Sequence, residues 1–102
     1  MTGHDLRQLI LQKWGRAYDV QLRKVQDKIY LQVMWRYLGQ ASFPKTNADY
    51  ETHLDAVASY INAWDQQAYV QRFIAETRDR PRLGKAVNIP IELGDRASEW
   101  IL

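Results

Sequence analysis

The 102-residue chain reads as an α+β fold: one globular domain over residues 1–102, in the order α-β-β-α-α-β with a short C-terminal segment. An antiparallel hairpin covered by helices in an unusual topology accounts for that order. Three observations predict it. Apolar residues recur at helical spacing in three segments, they alternate with polar residues at period two in three others, and the two kinds of segment do not alternate one for one as in an α/β chain.

The first helix spans Gly3 to Trp14. Thr2 stands at its N-cap with Asp5 three residues on, a capping-box spacing, and Leu6, Leu9, Ile10 and Trp14 follow the 3.6 period before Gly15 closes it. The period then changes to two. Tyr18, Val20 and Leu22 alternate with Asp19, Gln21 and Arg23; after the polar stretch Lys24 to Lys28, the residues Ile29, Leu31, Val33 and Trp35 alternate with Tyr30, Gln32, Met34 and Arg36. The two runs predict a hairpin with Gln26-Asp27 in its turn, a weaker signal than Asn-Gly or Asp-Gly. A hairpin alone is marginal in water, and the first helix offers it cover.

Gly39 to Thr46 is expected as a loop, in which Phe43 is either an anchor into the core or an exposed contact. Thr46 caps a second helix whose apolar stripe runs through Tyr50, Leu54, Val57, Ala58, Ile61 and Trp64, with Asp49 and Glu51 in the first turn, where the helix dipole favours acids. Asp65 is expected to cap a third helix carrying Val70, Phe73, Ile74 and Thr77 on one face, with Arg78 at its C-terminal end and Arg80-Pro81 preventing continuation. Leu54, Val57, Ile61 and Phe73 are assigned to the core. Val87, Ile89, Ile91 and Leu93 then alternate with Asn88, Pro90 and Glu92 as a third strand, confined by Pro90 to an edge or a bulge. Gly94-Asp95 leads into a terminal segment in which Trp100 and Ile101 dock.

Composition narrows the function. With no cysteine, the chain has no disulfide, thiolate metal site or thiol nucleophile. No apolar run approaches a membrane span, and the polar N-terminus is unlike a signal or transit peptide, so a soluble domain of the cytoplasm, or of the stroma in a plastid, is expected. Four Trp, six Tyr and two Phe give a chain of negative mean hydropathy the material for a core. Its two histidines, His4 and His53, fit no metal-ligand spacing, no Ser lies in a G-x-S-x-G elbow, and its glycines are isolated rather than clustered in a phosphate loop. His53, one turn after Asp49, reads as a hydrogen-bonded structural residue. No catalytic residue, metal or cofactor is assigned, and a non-enzymatic role is expected.

The charge pattern is more informative. Arg78, Arg80, Arg82 and Lys85 fall within eight residues, interrupted by Pro81 and Gly84. Such a loop cannot hide its charges in a core, and Arg forks grip carboxylate and phosphate bidentately. A solvated loop is the plain alternative, with one Arg paired to Asp79 and another on helix-end carbonyls. The net charge of +2 also conceals blocks: residues 1–40 carry +4, 41–65 carry −3, 66–86 carry +3 and 87–102 carry −2. Alternating blocks suit orientation toward a charged partner better than indiscriminate polyanion binding.

The segments Lys13 to Leu22, Leu31 to Leu38, Ala41 to Pro44, His53 to Ala58, Arg80 to Val87 and Arg96 to Trp100 resemble a small uncharacterised domain-of-unknown-function family of cyanobacteria and plastids. The resemblance covers nearly the whole chain. It implies an oxygenic phototroph and an α+β domain of unusual topology, and it brings no activity, cofactor or catalytic residue.

The expected function is therefore an interaction or assembly domain that docks an acidic protein partner through Arg78, Arg80, Arg82 and Lys85, with Trp35, Arg36 and Phe43 as aromatic and cationic neighbours. Binding of RNA or nucleotide phosphate on a basic hairpin and loop face is the alternative; Tyr30, Gln32, Met34 and Arg36 share one strand face there, and no RRM, KH or helix-turn-helix signature accompanies them. A monomer or weak homo-oligomer is expected.

Overall fold

The computed structural model describes residues 1–92; the expected place of Leu93 in the third strand, the Gly94-Asp95 turn and the docking of Trp100 and Ile101 lie outside the described residues. Within them the order is α1 (Gly3–Trp14), β1 (Tyr18–Val25), β2 (Lys28–Tyr37), α2 (Asn47–Ala63), α3 (Gln67–Glu76) and β3 (Val87–Ile91), an α+β arrangement with one antiparallel sheet in the order β1-β2-β3.

Helix α1 starts where its capping box places it. The Thr2 hydroxyl accepts the Asp5 N–H at 3.1 Å and the Asp5 carboxylate accepts the Thr2 N–H at 2.9 Å. The Thr2 backbone N–H foremost, and the Thr2 hydroxyl after it, hold the Asp5 carboxyl below its usual range. Its N-terminus presses against α2: the Gly3 N–H donates to the Asp55 carboxylate at 3.0 Å, and a Cβ on Gly3 would lie 2.6 Å from the Asp55 backbone nitrogen. Only glycine permits that approach.

The hairpin is tighter than the polar run 24–28 suggested. Val25 pairs with Lys28, leaving Gln26-Asp27 as a two-residue connection with Gln26 in the left-handed region at φ 57°. The register places Val20, Val33 and Val87 in one row of the inner face and Leu22, Leu31 and Ile89 in the next. It places Gln21, Gln32 and Asn88, then Arg23, Tyr30 and Pro90, in rows of the outer face. β3 is an edge strand, so Pro90 sits where a missing N–H can face away from the ladder.

Near its end the β1–β2 ladder slips. Val20 opposes Val33 but Tyr18 opposes Tyr37, so Met34, Trp35 and Arg36 face the single residue Asp19. The strict alternation that assigned Trp35 to the face of Ile29, Leu31 and Val33 ends at this bulge. Those three are buried, whereas Trp35 is partly exposed and belongs to no part of the core.

Helix α2 is capped by the Thr46 hydroxyl, which accepts the Asp49 N–H at 3.1 Å, and its whole expected stripe from Tyr50 to Trp64 is buried. Asp65 does not cap α3. It adopts φ 57° and donates its N–H to the Asn62 carbonyl, while the Gln66 N–H reaches the Ile61 carbonyl. This is a Schellman ending to α2 with Asp65 in its left-handed position, and Gln66, without a side-chain capping bond, starts α3. Thr77 lies just past α3. Phe73 is half-buried against the edge of the core, its ring 6.2 Å from that of Tyr69, rather than inside it.

The helices occupy the inner face. α2 runs closest to β1, and α1 packs chiefly on α2 and α3. Side chains from all three helices and all three strands meet in one cluster, including Leu6, Ile10, Val20, Leu31, Leu54, Ile61, Ile74 and Ile89. Among the described residues no polar or charged side chain is buried with them. No helix of the described residues is long and apolar enough to cross a membrane.

Candidate site: a cationic loop beside an open sheet face

Between α3 and β3 the chain must return from the helical layer to the sheet edge, and Pro81 and Gly84 break any regular structure on the way. The return is nonetheless ordered by specific bonds. Trp14, the last residue of α1, donates its indole N–H to the Asp79 carbonyl at 3.0 Å. Lys13 donates to the Ala75 carbonyl at 3.1 Å, and the Thr77 hydroxyl accepts the Asp79 N–H at 3.2 Å. Further on, Arg82 and Lys85 exchange backbone bonds of 3.0 and 2.7 Å across a tight turn, with Gly84 at φ 79° and Leu83 at the apex, 91 % exposed. A turn of this shape needs glycine at the left-handed position.

Four of the residues singled out in the sequence converge here. Arg78, Arg80, Arg82 and Lys85 surround one small recess, closed by Asp79 and Ala86, of about 90 Å³. A carboxylate or phosphate group suits that size. Lys13 and Trp14 extend the surface into a wider, shallower depression beside it. Neither structural role open to these arginines is taken among the described residues: Asp79 forms no ion pair with them, and the carbonyl at the end of α3 is capped by Lys13.

The remaining expected residues separate. Trp35 joins the site from the sheet. With Gln32, Met34, Asn88 and Lys85 it lines a groove on the outer face, contiguous with the cationic turn because Lys85 and Ala86 border both. Arg36 is exposed and lines neither recess. Phe43 lies elsewhere as an anchor, packed edge-on to Tyr50 with ring centroids 6.1 Å apart and with Lys45 over its face.

Reasoning from sequence missed two features. Trp14 and Lys13 follow the helical period of α1 and reveal nothing of a loop more than 60 residues away. Nor does any local pattern show that Gln21, Gln32 and Asn88 form a chain of side-chain amides across the sheet, with bonds of 2.6 Å from Gln21 Nε2 to Gln32 Oε1 and 2.8 Å from Gln32 Nε2 to Asn88 Oδ1.

A second polar cluster lies between α2 and β1. Lys45 donates to both Asp19 oxygens at 2.9 and 3.0 Å, Arg7 pairs with Glu51, and the Tyr50 hydroxyl donates to the Tyr18 carbonyl at 2.7 Å. His53 directs Nε2 to the Val20 carbonyl and has Asp19, not Asp49, as its nearby carboxylate at 3.9 Å. Tyr50 and His53 thus satisfy backbone carbonyls of the edge strand β1, while Lys45–Asp19 and Arg7–Glu51 pair charges beside them, a structural use of each. Among the described residues no three His, Asp or Glu side chains gather as a metal site would require.

Similarity to known proteins agrees with this architecture. The solution NMR structure of the Alr2454 protein from the cyanobacterium Nostoc sp. strain PCC 7120 shares 60% sequence identity with the chain and superposes with a TM-score of 0.88, covering 100% of this chain and 98% of that one. No curated protein matches the sequence. The model of the family described as Domain of unknown function (DUF3067) matches residues 4–101, nearly the whole length, and the chain belongs to that family.

Proposed function

We propose that this protein is a non-enzymatic interaction domain, with an assembly or regulatory role in the cytoplasm of an oxygenic phototroph, or the stroma where the organelle carries it, and that it docks an acidic protein partner on the loop 78–85. One observation carries the reading. Arg78, Arg80, Arg82 and Lys85 are held around a single recess by the Trp14 and Lys13 bonds to neighbouring backbone, yet make no ion pair among the described residues. With Asp79 as the one carboxylate among the residues lining it, the recess keeps a net positive charge whose self-repulsion costs stability, and a partner carboxylate relieves it with bidentate bonds. Leu83 at the apex supports a protein surface over a hydrated polyanion, since an apolar side chain gains from contact with other apolar groups.

Titration with an Asp/Glu-rich peptide tests this. The expected result is binding that weakens as salt rises and is lost when Arg80→Glu and Arg82→Glu are combined, with the circular dichroism spectrum retained. Binding unchanged by the double reversal would leave the loop merely solvated.

A second reading, binding of RNA or nucleotide phosphate, draws support from Tyr30 and Trp35, partly exposed aromatics on the outer side of β2 with Arg23 and Lys85 nearby. Mixed-sequence single-stranded RNA is the probe for it. Absence of binding at low ionic strength, where phosphate contacts are most favourable, removes this reading.

A further inference from the structure

The groove around Trp35 is an unexplained feature of the fold. By alternation Trp35 belongs behind Ile29, Leu31 and Val33 on the inner face, where a tryptophan buries more apolar area than any of them. The protein instead places two extra residues in β2 opposite Asp19, and Trp35 lies outside the core on the rim of an outer groove. Bulges commonly re-aim a side chain in this way next to functional surfaces.

Three properties of the groove point to the same kind of ligand. It is continuous with the cationic recess, because Lys85 borders both. Its floor is the amide chain Gln21–Gln32–Asn88, whose internal bonds leave the Asn88 Nδ2 donor at one end and the Gln21 Oε1 acceptor at the other, a pairing that suits a peptide backbone lying across the strands. Arg23 and Lys85 line it together with Met34 and Trp35, so charge selects an acidic ligand while the indole and thioether offer an apolar side chain a place to pack.

Resting on the docking role proposed above, we infer that the partner segment is an extended acidic peptide carrying one apolar or aromatic side chain. Its acids enter the recess of Arg78, Arg80 and Arg82, and its apolar side chain packs on Trp35 and Met34. The acids provide most of the attraction and the apolar contact sets the register.

Two synthetic peptides of Asp, Glu and Gly, identical except for a central Phe in one and Ser in the other, test the assignment by calorimetric titration of the full chain. The wild type is expected to prefer the Phe peptide about tenfold, the scale of one aromatic contact. Trp35→Ala should erase that preference, and Arg82→Glu should weaken both peptides. In the wild type, the Phe peptide should shift the side-chain amide NMR signals of Gln32 and Asn88, a readout independent of any variant's folding. Equal affinity for the two peptides, or unmoved amide signals, overturns the groove assignment; if Arg82→Glu still weakens binding, the docking reading survives its loss. Unchanged affinity in Arg82→Glu instead removes the docking reading itself. Single-stranded RNA that displaces the Phe peptide and binds more tightly overturns the inference in favour of a nucleic-acid surface.

Discussion

Trp14 donates its indole N–H to the backbone carbonyl of Asp79, so the last residue of the first helix holds the loop that carries the arginines. Replacing Trp14 with Phe keeps most of the ring's packing and removes the donor. The expected cost is about 1 kcal/mol in global stability. Amide hydrogen exchange over residues 77–86 should accelerate more than exchange in β2, because the loop loses a tether that the sheet does not share. Uniform acceleration across the chain would show that Trp14 acts only through general packing.

Gly3 sets the distance between α1 and α2. Alanine is the better helix former, but its methyl group would meet the Asp55 nitrogen at 2.6 Å and the Leu54 carbonyl carbon at 2.9 Å, and backbone atoms yield little. Gly3→Ala is expected to destabilise by about 1–3 kcal/mol, the usual range for overpacking. Urea denaturation measures it, and a gain in stability would mean that the helices separate freely.

Tyr50 links α2 to β1 from a fully buried position, its hydroxyl on the Tyr18 carbonyl at 2.7 Å. Burial raises the phenol well above its ordinary value of 10.0, with Arg7 opposing the rise. An acid whose folded-state pKa exceeds its unfolded one contributes stability that is complete below pH 10 and declines as the pH climbs from there toward the folded value, because only the unfolded chain releases the proton readily. Tyr50→Phe should therefore cost about 1 kcal/mol at neutral pH and show a shallower loss of melting temperature above pH 10 than the wild type. Parallel alkaline limbs would assign the effect to other groups.

Gln26 occupies the left-handed region in the hairpin turn, an arrangement that costs a non-glycine residue about 1–2 kcal/mol. Gln26→Gly removes that strain and adds about 0.5–1 kcal/mol of unfolded-state entropy. A net stabilisation of about 0.5–1 kcal/mol should appear in thermal melts, with the β1–β2 register unchanged by NMR.

Much of the architecture was legible because it depends on interactions within a few residues. The Thr2–Asp5 box and Gly15 bound α1 at both ends, and the stripe from Tyr50 to Trp64 is the buried face of α2. Asp65 misled for a local reason: an acid before a helix reads as a cap, but the same residue type tolerates the left-handed position that ends the preceding helix. Trp35 misled for a non-local one. Period-two alternation holds only while the ladder is regular, and the bulge is defined by how β2 pairs with β1, not by β2 alone.

The site divides along the same line. The sequence by itself determined the fold class, both ends of α1, the start of α2 and the cationic loop, since periodicity, capping and charge density are properties of contiguous residues. Only the tertiary structure decided that Lys13 and Trp14 hold that loop, that Trp35 stands beside it and Phe43 does not, and that Gln21, Gln32 and Asn88 join into one polar row. Each of those relationships spans different elements and follows from strand order, register and helix packing, which the burial of the shared core settles as a whole.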